Sequence, residues 1–201
     1  AFYALCTHID AQIRLVIGTL REEKLLDNTI IMITSDHGDM LGDFGLFAKR
    51  LMYENSARVP MILLGTKEDK IVGKGEVSNR LVGLADIMPT LLDLAKIKIP
   101  SSCDGQSMFN KKPRTFLYAE ANESINATRM VTSKNYKLVW YPYGNSFQFF
   151  DLANDPKELE DVHHKSEFKD QIETLKNILV ENLYGEDVSF LKEGKLVGIS
   201  S

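Results

Sequence analysis

The chain has 201 residues, of which 44% are hydrophobic and 26% charged, and its formal net charge is −4. This size and balance are typical of one substantial globular domain, or of one domain with a small addition. A net negative charge without a long run of one sign argues against nucleic acid as the partner. The two cysteines, Cys6 and Cys103, are too few for a disulfide framework, and no apolar run is long enough to span a bilayer. Composition leaves the compartment and the oligomeric state open.

The first predicted element is an amphipathic helix over residues 2–26. Its apolar residues recur at steps of three and four, which places them on one face of the helix. They are Leu5, Ile9, Ile13, Val16, Ile17 and Leu20. His8 and Asp10 lie near that face, and we interpret them as ordinary helix residues rather than as metal ligands. Because the chain starts without Met and is already helical there, we expect it to be part of a longer polypeptide.

Two continuous apolar runs, residues 30–34 and 59–64, predict strands. Apolar residues that do not alternate are typical of strands covered on both faces of a largely parallel sheet. A long helix leading into such a strand indicates a βαβ unit. The segment 84–95 predicts a short helix, with Pro89 in its first turn or at a kink.

From about residue 114 onward the pattern changes to short, closely spaced strands separated by turns of hairpin length, which predicts a small antiparallel sheet. The predicted strands are residues 115–119, 129–133, 136–141 and 147–152. A later helical stripe, ending at Leu183, is suited to cover one face of that sheet. We therefore predict a main α/β domain over residues 1–112 and an antiparallel subdomain with a helix and a tail over residues 113–201. The tail from residue 184 has no periodicity and receives no prediction.

Asp36 and His37 follow the first predicted strand directly and precede Gly38. Sites in open α/β sheets form where strands end at their carboxyl edge. A carboxylate oxygen and an imidazole nitrogen suit several divalent ions, of which Ca²⁺ and Mg²⁺ require further carboxylates. Asp39 and Asp43 are either additional ligands or turn formers. The dipeptide alone therefore predicts, at most, half of a metal site.

Two basic residues follow this turn. Lys49 is either a solvated charge or a point charge that reaches an anionic group of a substrate. Arg58 has the same alternatives, but an ion pair with Glu54, four residues earlier, is the simpler interpretation.

The sequence from Thr34 to Pro60 resembles that of a known family. It resembles the C-terminal signature of the sulfatases of the alkaline phosphatase superfamily, such as arylsulfatases and choline sulfatases. The signature consists of Thr34-Ser35-Asp36-His37-Gly38-Asp39-Met40-Leu41-Gly42-Asp43, then Lys49, Tyr53-Glu54 and Arg58-Val59-Pro60. Segments similar to the family's later helix and terminal sheet follow in the same order, namely 85–95, Tyr136-Lys137-Leu138 and 150–156.

The resemblance implies a sulfuric ester hydrolase that acts on a sulfate ester. It implies an alkaline-phosphatase-like fold, here the C-terminal part of a parallel sheet sandwich with a small antiparallel sheet and a terminal helix. Asp36 and His37 match metal ligands for Ca²⁺ or Mg²⁺, and Lys49 matches a lysine that contacts the sulfate. The family's nucleophile is a formylglycine made within a Cys/Ser-x-Pro-x-Arg motif. Neither Cys6 nor Cys103 lies in such a motif, so we expect that half elsewhere and expect this chain alone to be inactive.

One departure and two alternatives remain open. Many relatives have a histidine where this chain has Phe44, and phenylalanine cannot donate or accept a hydrogen bond there. A phosphodiester or phosphonate hydrolase of the same superfamily would share the Asp-His pair and differ in its nucleophile. A non-catalytic fragment that only packs against a partner is the other alternative.

Overall fold

The computed structural model describes residues 1–68, 71–122 and 124–199. Contacts divide the chain into two compact units, Ala1–Ser35 with Pro60–Ser78, and Asp36–Val59 with Asn79–Ser201. The architecture is α/β, as expected. The domain boundary expected at residue 112 stays a prediction. No helix in the described ranges is both long and apolar enough to cross a membrane.

The first unit contains the helix α1 (Phe2–Glu22) and the strands β1 (Ile31–Thr34) and β2 (Met61–Leu64). The long helix is confirmed, although it ends four residues earlier than expected, just before Lys24 adopts a φ of 58°. Both predicted strands are present. They pair antiparallel, with Ile31 opposite Leu64.

The predicted parallel arrangement is therefore not confirmed for these two strands. Parallel neighbours need a crossover of a dozen or more residues, usually containing a helix. The segment between β1 and β2 contains only one α-helix, α2 (Glu54–Ala57), which has 4 residues. Such a short helix cannot carry the chain back along the sheet, so the second strand returns in the opposite direction.

Burial in this unit is also lower than the apolar pattern predicted. Along β1 every residue is half-buried, and β2 alternates between half-buried and exposed residues. None of the residues of α1 is buried, and Leu5, Ile9 and Val16 are 60%, 56% and 62% exposed. The described part of the chain therefore leaves the apolar face of this helix uncovered.

The second unit is built on a four-stranded antiparallel sheet in the order β3-β4-β5-β6. Its strands are β3 (Phe116–Ala121), β4 (Thr128–Ser133), β5 (Tyr136–Tyr141) and β6 (Ser146–Asp151). Each begins and ends within two residues of its predicted bounds. The two short turns after β4 and β5 are confirmed as hairpin connections, which fix the register of Arg129 opposite Trp140 and of Tyr136 opposite Asp151.

The helix α4 (Lys169–Asn182) covers one face of this sheet, as its apolar stripe predicted. Leu175 and Leu179 pack with Leu138, Trp140 and Phe149 in one buried cluster. Burying a side chain of this size stabilises the fold by about 1.5–3 kcal/mol, so this cluster is the main core of the unit.

A second buried cluster on the same sheet consists of Met52, Met130, Val139 and Phe150. Met52 belongs to the segment that follows the predicted site residues, and only 4% of its surface is exposed. The sheet therefore holds that segment by burial.

The remaining elements are a short helix and the structure of the tail. The helix α3 (Ile87–Leu94) has Pro89 as its third residue, so the proline lies in the first turn, as predicted. The tail forms a 3-10 helix, Gly185–Phe190, and a hairpin of β7 (Leu191–Lys192) and β8 (Lys195–Leu196).

Candidate active site

The predicted site residues lie in a loop, Asp36–Val59, that is closed by its own backbone hydrogen bonds. The N–H of Gly38 donates to the carbonyl of Ser56 at 2.8 Å, and the N–H of Met40 donates to the carbonyl of Ala48 at 2.9 Å. A Cβ on Gly38 would lie 1.9 Å from the carbonyl oxygen of Asn55. Only glycine permits this approach, so Gly38 allows the loop to close beside Asp36 and His37.

One ring nitrogen, Nε2 of His37, lies close to the side chains of both Asp36 and Lys49. Oδ2 of Asp36 is 3.3 Å from Nε2 of His37. Nδ1 of the same ring is 2.8 Å from the carbonyl oxygen of Gly38, so we assign the proton to Nδ1, which donates to that oxygen. Nε2 then has a free lone pair, which accepts a hydrogen bond from Nζ of Lys49 at 2.5 Å. The structure thus brings all three predicted residues into contact.

The charge state of Asp36 follows from its neighbours. Desolvation acts to raise the pKa of its carboxyl group. The electrostatic interaction with the His37 ring, hydrogen bonds from the backbone amides of both residues and the ammonium of Lys49 together outweigh this effect and lower the pKa. Its side chain is 81% exposed. Asp36 is therefore a carboxylate at neutral pH and is accessible from outside the chain.

This donor set suits a divalent cation as part of a coordination shell. A carboxylate oxygen and an unprotonated imidazole nitrogen at this separation are able to contact one ion. The ammonium of Lys49 already places a positive charge against Nε2, which indicates that the pair accommodates a cation. In the described ranges, no three or more His, Cys, Asp or Glu side chains are grouped so that they hold a metal. Asp36 and His37 are therefore suited to only part of a ligand set.

Asp39 and Asp43, the two other acidic residues of the turn, have roles within the loop. Oδ1 of Asp39 accepts a hydrogen bond from the N–H of Leu41 at 2.9 Å. The carboxylate of Asp43 accepts one from the side-chain amide of Asn55. Of the two alternatives left open by the sequence, these contacts favour turn formers.

Phe44, the residue that departs from the family pattern, packs against an aromatic partner. Its ring stacks on Tyr53 with 4.8 Å between the ring centroids. Tyr53 in turn contacts the ring of Phe150 at 5.8 Å, and its hydroxyl accepts a hydrogen bond from Gln148 at 3.1 Å. An aromatic stack on Tyr53 therefore stands where a histidine would offer a polar contact.

Lys137 anchors the loop to the sheet, a role that the sequence analysis missed. Its side chain on β5 is completely buried, and its ammonium donates to the carbonyl of Met52 at 2.9 Å. The ammonium is also 2.6 Å from a carboxylate oxygen of Glu54 and 2.6 Å from one of Glu158. Glu158 accepts a further hydrogen bond, at 2.6 Å, from the N–H of Glu54. The only sequence signal was a lysine between two apolar neighbours in a strand.

Glu54 also forms the predicted ion pair with Arg58, at 3.5 Å. The arginine side chain is 78% exposed, so this pair contributes little to stability. The buried contact with Lys137 is the one that holds Glu54.

A family model and curated relatives place this chain among the sulfatases. A family model described as N-sulphoglucosamine sulphohydrolase, C-terminal, matches residues 42–184. An arylsulfatase of Clostridium perfringens is 37% identical over an alignment of 203 positions that covers 98% of this chain and 42% of the relative. Arylsulfatase K of Gallus gallus is 33% identical over an alignment of 195 positions that covers 89% of this chain and 35% of the relative.

Among solved structures, BT4656 in complex with its substrate D-glucosamine-2-N,6-O-disulfate has a TM-score of 0.75 and 27% identity. The match covers 86% of this chain and 37% of that chain. The chain thus spans about two-fifths of the length of the relatives that it matches.

Proposed function

Because this chain belongs to the sulfatase family defined by the C-terminal region of N-sulphoglucosamine sulphohydrolase, we propose that it is the C-terminal part of a metal-dependent sulfuric ester hydrolase. The observation that supports this most directly is the contact among Asp36, His37 and Lys49. A carboxylate, an imidazole lone pair and an ammonium at one point suit a site for a cation and an anionic ester.

We propose that Asp36 and His37 are two of the ligands of a Ca²⁺ or Mg²⁺ ion. The hydrogen bond from Nδ1 of His37 to the carbonyl of Gly38 fixes the ring orientation and leaves Nε2 as the nitrogen that would bind the ion. A bound divalent cation polarises the sulfate ester and offsets its negative charge. The other ligands are expected from parts of the polypeptide outside this sequence.

Lys49 has the role of a charge that contacts the sulfate. Its ammonium now donates to Nε2 of His37, a contact that has to break when that nitrogen binds an ion. The long side chain would then be able to reach the sulfate oxygens and offset the charge that develops on them. His37 and Lys49 would therefore exchange partners on binding.

The nucleophile is expected to be a formylglycine in a part of the polypeptide outside this sequence. Cys6 is exposed and Cys103 is half-buried, and neither is followed by the Pro and Arg that the family motif requires. For this reason we expect the 201 residues alone to be inactive.

We propose a sugar sulfate as the substrate class. BT4656, which is similar to this chain, is described with a disulfated glucosamine as its substrate. Loops at the site determine which sugar is accepted, and the stack of Phe44 on Tyr53 replaces a polar contact there with an apolar surface.

The test is a substrate comparison on the full-length polypeptide that contains this chain. The assay measures hydrolysis of a glucosamine sulfate, an aryl sulfate and a phosphonate monoester. Both sulfate esters should be hydrolysed with a higher kcat/KM than the phosphonate, and Lys49→Ala should lower kcat by about 100- to 1,000-fold. The exposed Lys134, in the turn after β4, provides a matched control through Lys134→Ala. Preference for the phosphonate would favour the other hydrolase type, and no hydrolysis of any ester would favour a non-catalytic fragment.

A further inference from the structure

A second polar site lies beside Lys49 in the chain, at one end of the four-stranded sheet. It is a cavity of about 530 Å³ lined by Arg50, Glu120, Ala121, Asn122, Asn126 and Arg129. Its walls come from the residue after Lys49, from the end of β3 and from the start of β4. Small-molecule sites commonly measure about 300–1,000 Å³, so a ligand of one or two sugar units has the right size.

Arg129 forms a fixed part of this cavity. It is 5% exposed, and its guanidinium pairs with both carboxylate oxygens of Asp187. Nη1 donates to the carbonyls of Ala121, Asn122 and Thr128 at 3.3, 3.2 and 2.9 Å. Because these partners use its donors and its charge, Arg129 shapes the cavity and is not available to a ligand.

Arg50 differs from Arg129 in this respect. Its backbone carbonyl accepts a hydrogen bond from the side-chain amide of Asn122 at 3.3 Å, which ties it to the end of β3. Within residues 1–68, 71–122 and 124–199, its guanidinium has no ion pair or hydrogen bond. A guanidinium offers five donors in a planar fork that matches carboxylate and sulfate-like oxyanions. Arg50 is therefore the cavity's available recognition group for an anion.

Glu120 supplies the complementary acceptor. Its carboxylate is held by the hydroxyls of Tyr184 at 2.5 Å and Tyr118 at 3.2 Å, and it lies 3.8 Å from Nε of Arg129. The side chain is still 39% exposed. An oriented and partly open carboxylate accepts hydrogen bonds from hydroxyl groups, and the amides of Asn122 and Asn126 are able to donate and accept.

Resting on the proposed function, we propose that this cavity is a saccharide subsite in which Arg50 binds an anionic substituent of the sugar. That substituent is a carboxylate or a sulfate other than the one that is hydrolysed. Glu120 and the two asparagines bind hydroxyl groups of the same unit. Since Arg50 directly follows Lys49, a substrate whose ester reaches Lys49 extends naturally along the chain into this cavity.

The experiment uses the full-length polypeptide and four sulfate esters. One is an aryl sulfate without a sugar, one a neutral sulfated disaccharide, one a sulfated disaccharide with a uronate, and one a disaccharide with a second sulfate. Arg50→Ala should raise KM about 10- to 100-fold for an anionic disaccharide. The aryl sulfate and the neutral disaccharide should change by less than about threefold, and Arg50→Lys should recover part of the loss.

Lys134→Ala removes the same charge beyond the far end of β4, and it should leave all four KM values unchanged. A larger effect on the uronate identifies a carboxylate as the ligand group, and a larger effect on the second sulfate identifies a sulfate. Equal losses on all four esters, which would place Arg50 at the hydrolysed group, overturn the proposal. Unchanged KM values for both anionic disaccharides also overturn it.

A binding measurement separates this inference from the proposed function. Calorimetric titration with an unsulfated uronate disaccharide and with a disaccharide carrying only the second sulfate needs no turnover. Wild type should bind at least one of them about 10- to 100-fold more tightly than Arg50→Ala. Equal binding of both ligands by the two proteins, or no binding by either, rejects the subsite. Failure of wild type to hydrolyse any of the four esters rejects the proposed function instead.

Discussion

Replacing Lys137 by Met should release the candidate active-site loop, Asp36–Val59, from the sheet. The ammonium has three partners, the carboxylates of Glu54 and Glu158 and the carbonyl of Met52. Met fills most of the space but leaves these groups without a cation. Glu54 is 23% exposed and retains Arg58, whereas Glu158 is 2% exposed and has no comparable access to water. Leaving such a buried charge unpaired costs about 3–5 kcal/mol in the free energy of unfolding.

The size of this loss should depend on pH through Glu158. Desolvation raises the pKa of its carboxyl group even with Lys137 beside it, and removing the lysine raises the pKa further. A raised pKa in the folded state favours folding while the group is protonated, and this contribution is lost as the pH rises through the folded pKa. The deficit of Lys137→Met should therefore be larger at about pH 7.5 than at about pH 5.5. In the double variant Lys137→Met/Glu158→Gln, the difference between the stability deficits at the two pH values should disappear.

Hydrogen exchange on the full-length polypeptide measures the predicted loss directly. Amides of β5 and of the loop around Met52 should exchange more than about 100 times faster in Lys137→Met, because each 1.4 kcal/mol corresponds to a factor of ten. The exposed Lys134→Met is the matched control, and it should exchange as wild type does. Exchange within about threefold of wild type in Lys137→Met would refute the reasoning, since the buried charge would then cost almost nothing.

Two further variants test the core and the loop. Leu179→Ala should lower the free energy of unfolding by about 2–5 kcal/mol, because Leu179 is 0% exposed and the substitution leaves a cavity between α4 and the sheet. Denaturant unfolding measures this loss, and a value below about 1 kcal/mol would contradict the prediction. Gly38→Ala should displace the loop, since the new Cβ meets the carbonyl of Asn55 at 1.9 Å. Both its kcat and its melting temperature should fall below those of Gly18→Ala, a glycine inside α1 with open space around it, and an unchanged kcat would argue against the loop's role.

Local patterns predicted the antiparallel sheet well. Neighbouring strands there are joined by short turns such as the one at Lys134, so alternation and turn residues determine both pairing and register. The pairing of β1 with β2 joins strands that are distant in sequence, and an apolar run does not encode the direction of its partner. In the same way, the apolar pattern of α1 indicates that one face of the helix is to be buried. It does not indicate which part of the protein covers that face.

The site was predictable only where its residues are close in sequence. The turn alone made Asp36 and His37 candidates for half of a metal site, and the family resemblance added the specific role predicted for Lys49. The contact of Lys137 with Glu54 joins positions 83 residues apart, and the cavity beside Arg50 depends on strands that only the fold brings together. A buried ion pair across such a separation leaves no local pattern other than a charge between apolar neighbours.

Calcium binding by Asp36→Ala, measured by equilibrium dialysis on the full-length polypeptide, tests the central claim most directly. Asp39→Ala is the control, because Asp39 lies in the same turn and bonds the N–H of Leu41. Asp36→Ala should lose calcium affinity by at least about 100-fold, more than the loss of an outer hydrogen bond to a ligand causes, while Asp39→Ala should retain it. Stoichiometric calcium at wild-type affinity in Asp36→Ala would contradict the assignment of Asp36 as a metal ligand.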